Sequence, residues 1–231
     1  MALNKTMLPK DDGVVDTIPS TKDMYSAFRR AFRPVRLRTF YRLFQIHSQT
    51  RLLDIGGGAY FWDLALSEGL PLPQVTVLNI APAKEDARNY LEWIVGDARA
   101  TNLEDRSFDV AFSNSLVEHL GEWDSQRRFA AEVRRLAPRY FVQTPDRSCP
   151  VEPHFLAPFV HWLPKSIRPS IVRNFTYWGL STRPSRLECV RLCEEISLLS
   201  KQELELLFPE AQILSERFVG LPRSIIAVKS H

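Results

Sequence analysis

The sequence predicts an α/β fold: a doubly wound, mostly parallel sheet with an antiparallel edge hairpin and a helical lid insertion. Three observations point there. Between residues 51 and 143 short apolar runs alternate with helical periodicity; one of those runs ends in three consecutive glycines that lead into a helical segment; and two later apolar runs are separated by Gly220 and Pro222. Strands spaced by helical segments pair in parallel, because each crossover carries a helix back over the sheet.

The 231 residues fit one such unit with an additional segment, and 45% hydrophobic with 25% charged residues is ordinary globular composition. Residues 1–20 mix Pro, Gly and Asp with few large apolar side chains, which predicts a loosely held arm; residues 21–231 are read as a single domain. From 21 to 47, Met24, Phe28, Phe32, Leu37, Phe40, Tyr41 and Phe44 recur at mostly helical spacing, and Pro34 predicts a break into two cap helices. The arginines of this segment, Arg29, Arg30, Arg33, Arg36, Arg38 and Arg42, have two readings: a solvated helix face, or a cation at Arg29 or Arg33 that meets a ligand carboxylate. Strands are then expected over 51–56, 75–80, 91–96, 108–113 and 140–143, with helices over 61–68, 82–89 and 125–136. Residues 145–184 hold seven prolines with many aromatics and are too apolar for a linker, so 145–195 reads as short helices laid over the ligand end of the sheet. A helix over 200–208 and strands over 211–218 and 224–229 complete the pattern.

Composition narrows the function classes. A net charge of +3 is too small to imply nucleic-acid binding, and no run approaches the roughly 20 apolar residues of a membrane span. Cys149, Cys189 and Cys193 form no CxxC pair, so neither a disulfide framework nor a metal site is expected. The cysteine count makes a reducing cytoplasm the simplest home, and the polar start, with Asp11, Asp12 and Asp16, is unlike a signal peptide, which predicts a soluble protein that is not exported and has no membrane partner. The modest size of 145–184 suits a small-molecule substrate better than a protein or folded RNA, and no aromatic-basic stripe supports a nucleic-acid partner. The oligomeric state is not legible.

Residues 51–60, Arg-Leu-Leu-Asp-Ile-Gly-Gly-Gly-Ala-Tyr, are the most informative stretch. Glycines at Gly56 and Gly58 permit a tight turn and a close ligand, and a helix opening there points free N–H groups outward. A dinucleotide fingerprint would need a glycine at Phe61 and an acid near Asn79; both fail, which disfavours a dehydrogenase. Asp54, two residues before the first glycine, suits a ligand ammonium better than a pyrophosphate.

Leu-Asp-Ile-Gly-Gly-Gly-Ala at 53–59, Val-Gly-Asp-Ala at 95–98 and Phe-Asp-Val-Ala-Phe-Ser-Asn-Ser-Leu-Val-Glu-His-Leu at 108–120 follow in this order. Together they resemble the motifs of class I S-adenosylmethionine-dependent methyltransferases, the last being similar to the subgroup with small-molecule substrates. The resemblance covers most of 51–141, and 198–229 looks like that family's closing helix and hairpin. It implies a Rossmann-like fold with S-adenosylmethionine as cofactor. Gly56 and Gly58 would form the floor under the amino acid and ribose, with Asp54 close by. Asp97 would accept from the adenine amino group beside a backbone contact from Ala98, and Ser113 and Asn114 would border the methionine portion and the reacting centre.

Two departures stand out: Tyr60 occupies the family's third glycine position, and Asn79 aligns with its ribose-binding acid. A neutral amide bonds a hydroxyl more weakly than a carboxylate does. Tyr60 either offers its ring face to the sulfonium or packs on the N-terminal helices.

Alkyl transfer from a sulfonium needs alignment and exclusion of water first, and a base only if the acceptor must lose a proton. His119, His154 and His161 are the candidates, with His154 and His161 able to share a helix face, and Tyr177 and Trp178 placed to close the pocket. Each also has a packing reading, and Cys189 and Cys193 are assigned to packing. Three functions remain open: methyl transfer to a small molecule; cyclisation of the cofactor to azetidine-2-carboxylate and methylthioadenosine; and a non-catalytic binding module.

Overall fold

The computed structural model describes residues 21–83, 88–152, 154–155 and 157–231, with side chains in the first helix from residue 33 onward. The expected arm at 1–20 lies outside the described residues, as does the middle of the helix expected over 82–89. Along the chain run α1 (Thr21–Phe44), β1 (Arg51–Ile55), α2 (Ala59–Ser67), β2 (Gln74–Asn79), β3 (Leu91–Val95) and β4 (Val110–Asn114). A 3-10 turn at Val117–His119 precedes α3 (Trp123–Leu136) and β5 (Arg139–Pro145). Then come β6 (Val151–Glu152), β7 (Ala157–Pro158), a 3-10 turn at Val160–Trp162, α4 (Arg168–Phe175), α5 (Tyr177–Thr182), α6 (Arg186–Glu195), α7 (Lys201–Leu207), β8 (Gln212–Phe218) and β9 (Leu221–Lys229).

The described residues form a seven-stranded sheet in the order β3-β2-β1-β4-β5-β9-β8. β1 to β5 run parallel, and β9 is antiparallel to both β5 and β8. The order reverses between β1 and β4, where Ile55 pairs with Ser113, so Gly56 and Asn114 flank the crevice in which such sheets bind ligands.

Both faces of the sheet are covered, which is why β1, β4 and β5 read as continuous apolar runs and not as alternation. One face packs Leu53, Ile55, Ala111, Tyr140 and Val142 against Phe129 and Val133 of α3 and Leu204 and Leu207 of α7. The other packs Leu52, Val75, Phe112 and Phe141 against Phe40 and Phe44 of α1 and Phe61 and Trp62 of α2.

α1 is one continuous helix through Pro34, not the two that the proline predicts. A proline removes one backbone hydrogen bond and strains the preceding turn. Here the turns that follow it are held by burial: the Phe40 ring lies 4.8 Å from Phe112, 5.4 Å from Phe141 and 5.0 Å from Phe44. The arginines divide by environment, since Arg36 is buried while Arg38 reaches out to Glu68 at 2.7 Å.

Residues 145–195 contain the expected short helices and an unexpected two-stranded β6–β7 ladder. Phe155, Val160, Val172, Cys189 and Cys193 of this segment bury one another together with Leu198 just after it, so the two cysteines are packing residues. α6 and α7 each begin at a reciprocal cap, Ser185 with Glu188 and Ser200 with Glu203. Among the described residues no helix is long and apolar enough to cross a membrane.

Candidate active site

The strand-to-helix turn after β1 is built by a carboxylate that folds back beneath it. Asp54 is buried, and its Oδ2 accepts from Trp62 Nε1 at 2.9 Å; the Gly58 N–H also donates to this carboxylate. Gly56 has φ +76°, a conformation that glycine adopts without strain, and a Cβ there would come within 2.8 Å of Leu116. At Gly57 a Cβ would stand 1.9 Å from Asp54 Oδ2. The glycine that sequence spacing left out is therefore the one the acid makes obligatory. Gly58 is extended at φ −178°, and a Cβ there would meet nothing within 4 Å among the described residues.

Burial pushes Asp54 up to about 7, against the hydrogen bonds from Trp62 and Gly58 and the charge of Arg33. Its Oδ1 has no partner among the described residues. A folded-state value above the unfolded one means that the fold favours the protonated acid. This contribution is complete below about pH 4 and is lost as the pH rises to about 7. Asp54→Asn removes that loss, so its stability relative to wild type should climb between pH 4 and 7, by roughly 2–4 kcal/mol, then level off. Urea unfolding of both proteins across that range measures the difference; a gap that stays constant with pH would clear Asp54 as its source.

The other cofactor candidates all lie at the carboxyl ends of their strands, each with a local partner. Asn79 Nδ2 donates to the Gly57 carbonyl at 3.1 Å and its Oδ1 accepts from Ala81 N at 3.2 Å, so the amide braces the glycine turn. Asp97 takes the Arg99 guanidinium on both oxygens, at 2.7–3.1 Å, and that hydrogen-bonded cation holds its carboxyl below the usual range. Ala98 packs against the core. Ser113 is buried and donates to the Ile55 carbonyl at 3.0 Å, tying the ends of β4 and β1 together. Tyr60 is 47% exposed, with the Arg33 guanidinium 4.7 Å from its ring centroid, so the packing reading gains a specific partner on α1.

Asn114 leads to a hub that the sequence reading missed. Its Oδ1 accepts from Arg36 Nη1 at 2.5 Å, and the same nitrogen reaches Gln143 Oε1 at 2.9 Å. Arg36 also donates to Glu216 from Nε at 3.0 Å and from Nη2, and to Ser224 Oγ at 3.3 Å. One guanidinium thus joins α1 to β4, β5, β8 and β9. The solvated-face reading of this arginine is wrong, and the signal that replaces it is its position one helical turn before Phe40, on the buried stripe.

Beside the hub lies a cavity of about 360 Å³ at the carboxyl ends of β4 and β5. Arg33, Arg36, Asn114, Glu118, Gln143 and His154 line it, with Phe218, Leu221 and Arg223 contributed by the β8–β9 turn region. His154 Nδ1 bonds Glu152 Oε1 at 2.6 Å, and Glu152, fully buried, takes the Phe155 N–H on its other oxygen at 2.7 Å. His154 Nε2 faces His119 Nε2 at 3.2 Å, with the ring planes 88° apart. Burial and the neighbouring His154 push His119 down to about 4. Burial also opposes the charged form of His154, but the hydrogen bond and charge of Glu152, with Glu118, outweigh it and raise its value. Burial carries Glu118 up to about 7; its Oε2 accepts from Thr144 Oγ1 at 2.9 Å.

Two expectations about the acceptor side are corrected. His154 and His161 share no helix: the first sits in the β6–β7 turn and the second in the 3-10 turn that follows, where it meets the Arg147 carbonyl at 3.0 Å. Pro158, which cannot donate a backbone hydrogen bond, ends a strand between them. Tyr177 opens α5 and does not line the cavity, because α5 packs on α4 and Trp178 turns toward Phe155.

Comparison with known proteins agrees with this geometry. Residues 53–139 match the family model of a methyltransferase domain. No curated protein matches the chain in sequence. Among solved structures, phosphoethanolamine N-methyltransferase 2 of Haemonchus contortus, in complex with S-adenosyl-L-methionine, is 13% identical with a TM-score of 0.54, over 84% of this chain and 52% of that one. An S-adenosylmethionine-dependent methyltransferase of Archaeoglobus fulgidus is 16% identical with a TM-score of 0.51, over 90% and 100% of the two chains. A protein of Pyrococcus horikoshii is 16% identical with a TM-score of 0.50, over 88% and 91%. At these identities the likeness is one of fold. The chain spans about half the length of the Haemonchus enzyme and nearly all of the two archaeal proteins.

Proposed function

We propose that this chain, which has the class I methyltransferase fold and a methyltransferase domain at residues 53–139, binds S-adenosylmethionine and transfers its methyl group to a small-molecule acceptor. The observation that carries the reading is the crevice where the sheet order reverses. There the turn seated on Asp54 meets the end of β4, and the cavity of about 360 Å³ opens beside Asn114.

In this reading Asp54 sets the turn, and the ammonium of the cofactor's amino acid above it favours the ionised form of its buried carboxyl. Gly56 and Gly58 leave room above it, Asn79 braces the turn beside the ribose, and Asp97 with Ala98 borders the adenine. Ser113 and Asn114 end the strand beside the sulfonium. The sulfonium is already an activated leaving group, so the protein's task is to align donor and acceptor and keep water out. The cavity volume falls within the range of small-molecule sites. Two arginines beside the hub (Arg33, Arg223) and the apolar Phe218, Leu221 and Pro222 suit an acceptor with an apolar body and an anionic group. His154 stands on this wall and His119 touches it.

Incubation with S-adenosylmethionine alone, then with a metabolite extract, followed by mass spectrometry, tests the proposal. S-adenosylhomocysteine formed only with extract is the expected result. Methylthioadenosine with azetidine-2-carboxylate and no acceptor would mean that the cofactor is itself the substrate. Neither product, with no calorimetric binding of S-adenosylmethionine, would leave only a binding module.

A further inference from the structure

We propose that His119, His154 and Glu118 form a binding site for a divalent cation of the zinc class on the wall of the cavity assigned above to the acceptor. Only its place beside an acceptor rests on that reading; the site itself stands on its own geometry. A carboxylate oxygen of Glu118 and one ring nitrogen of each histidine all lie within 4.8 Å of one another.

The two Nε2 atoms are 3.2 Å apart with their rings nearly perpendicular. Two imidazoles on one tetrahedral cation, with metal–nitrogen bonds of about 2.0–2.1 Å, hold their nitrogens about 3.3 Å apart. The pair is therefore already spaced as two ligands of a single ion. The far nitrogen of His154 is bonded to Glu152 at 2.6 Å, and Glu152 is itself fixed by the Phe155 N–H. A metal-binding histidine characteristically gives its other N–H to such a carboxylate, which sets the tautomer that leaves Nε2 free to ligate.

The third member supplies an independent observation. Glu118 is fully buried, one oxygen bonded to Thr144, while its Oε1 has no partner among the described residues. A buried acceptor left unsatisfied is costly, and a cation within reach of both imidazoles removes that cost. Access is open as well: His119 is exposed, and Glu118 and His154 both line the cavity. Two imidazoles and one carboxylate leave a coordination position for water or a ligand atom, which is the donor set of an open zinc or ferrous site. Without an ion, the same atoms form a hydrogen-bonded chain from Glu152 through His154 to His119, and a titration separates the two arrangements.

The experiment uses the full chain stripped with a chelator, then titrated with Zn²⁺ by calorimetry and with Co²⁺ by visible absorption. One equivalent is expected to bind, with the d–d bands of low-symmetry Co²⁺. His119→Ala, at an exposed position that costs the core little, is expected to weaken binding about 100-fold. Glu152→Gln is expected to weaken it about 10–100-fold, as for other outer-shell partners. Binding to wild type no stronger than to a His119→Ala/His154→Ala double variant overturns the site. S-adenosylmethionine binding is measured on the same stripped samples. Cofactor binding without a stoichiometric metal overturns the metal site alone, and a stoichiometric metal without cofactor binding supports this site and overturns the reading above.

Discussion

Gly57→Ala is expected to reduce S-adenosylmethionine binding at least 100-fold and to destabilise the fold by about 3 kcal/mol, as forced overpacking beside a buried polar group does. The reason is a single contact. The added Cβ would occupy the space of the Asp54 carboxylate, with Oδ2 at 1.9 Å and Cγ and Oδ1 both at 2.1 Å. Asp54 has a short side chain on a strand buried on both sides, so it cannot swing away without losing its bond from Trp62. Gly58→Ala is the contrast, because its Cβ meets nothing within 4 Å among the described residues and its backbone is extended. It should melt like wild type and lose affinity only through contact with the ligand. Urea unfolding and calorimetry on the pair measure both effects, and a Gly57→Ala protein as stable as wild type would show that Asp54 does not sit beneath the turn.

The second large effect is expected at Arg36. Arg36→Ala strands Glu216, whose carboxyl is kept ionised against its burial by Arg36 first, then by Ser224 and Arg223. Losing one partner of a largely buried ion pair costs about 3–5 kcal/mol. For a chain of this size that corresponds to a fall in Tm of roughly 10 °C. Glu216 has a depressed folded-state value, so its contribution is present above the unfolded carboxylate range and is lost as the pH falls through the folded value. The deficit of Arg36→Ala should therefore be largest at neutral pH and shrink on acidification. Combining Arg36→Met with Glu216→Gln should recover part of the loss, since no carboxylate is then stranded, while Arg223 gives up its contact with Glu216 at 3.6 Å. A melting curve for Arg36→Ala within 2 °C of wild type would remove the hub from its structural role.

The parallel sheet was legible because burial on both faces writes itself as unbroken apolar runs, and the reversal of strand order followed from the helical segments between them. Distant pairings were not. Arg36 meets Glu216 across 180 positions, and helical periodicity can set Arg36 on the buried stripe but cannot name its partner. His119 and His154 are 35 positions apart, and each alone reads more readily as a packed or solvated residue than as chemistry. The expectation of no metal site rested on cysteine spacing, which is silent about histidines brought together by a turn. Gly57 was passed over because spacing rules count glycines along the backbone, whereas its constraint comes from a side chain three residues earlier curling under the loop. Asp97 was recognised by its motif, but its partner Arg99 was two residues away and could have been noted.

The sheet order also has a consequence for vectorial synthesis. β5 has one neighbour, β4, that precedes it, but its other neighbour, β9, is the last strand in the sequence. A nascent chain leaving the ribosome therefore carries β5 with one row of backbone donors and acceptors unpaired, flanked by the large side chains of Tyr140 and Phe141. That edge is a template for pairing with a neighbouring chain until Leu221–Lys229 emerges to claim it. That exposure lasts through the synthesis of the segment between β5 and β9, and it ends when β9 pairs with β5.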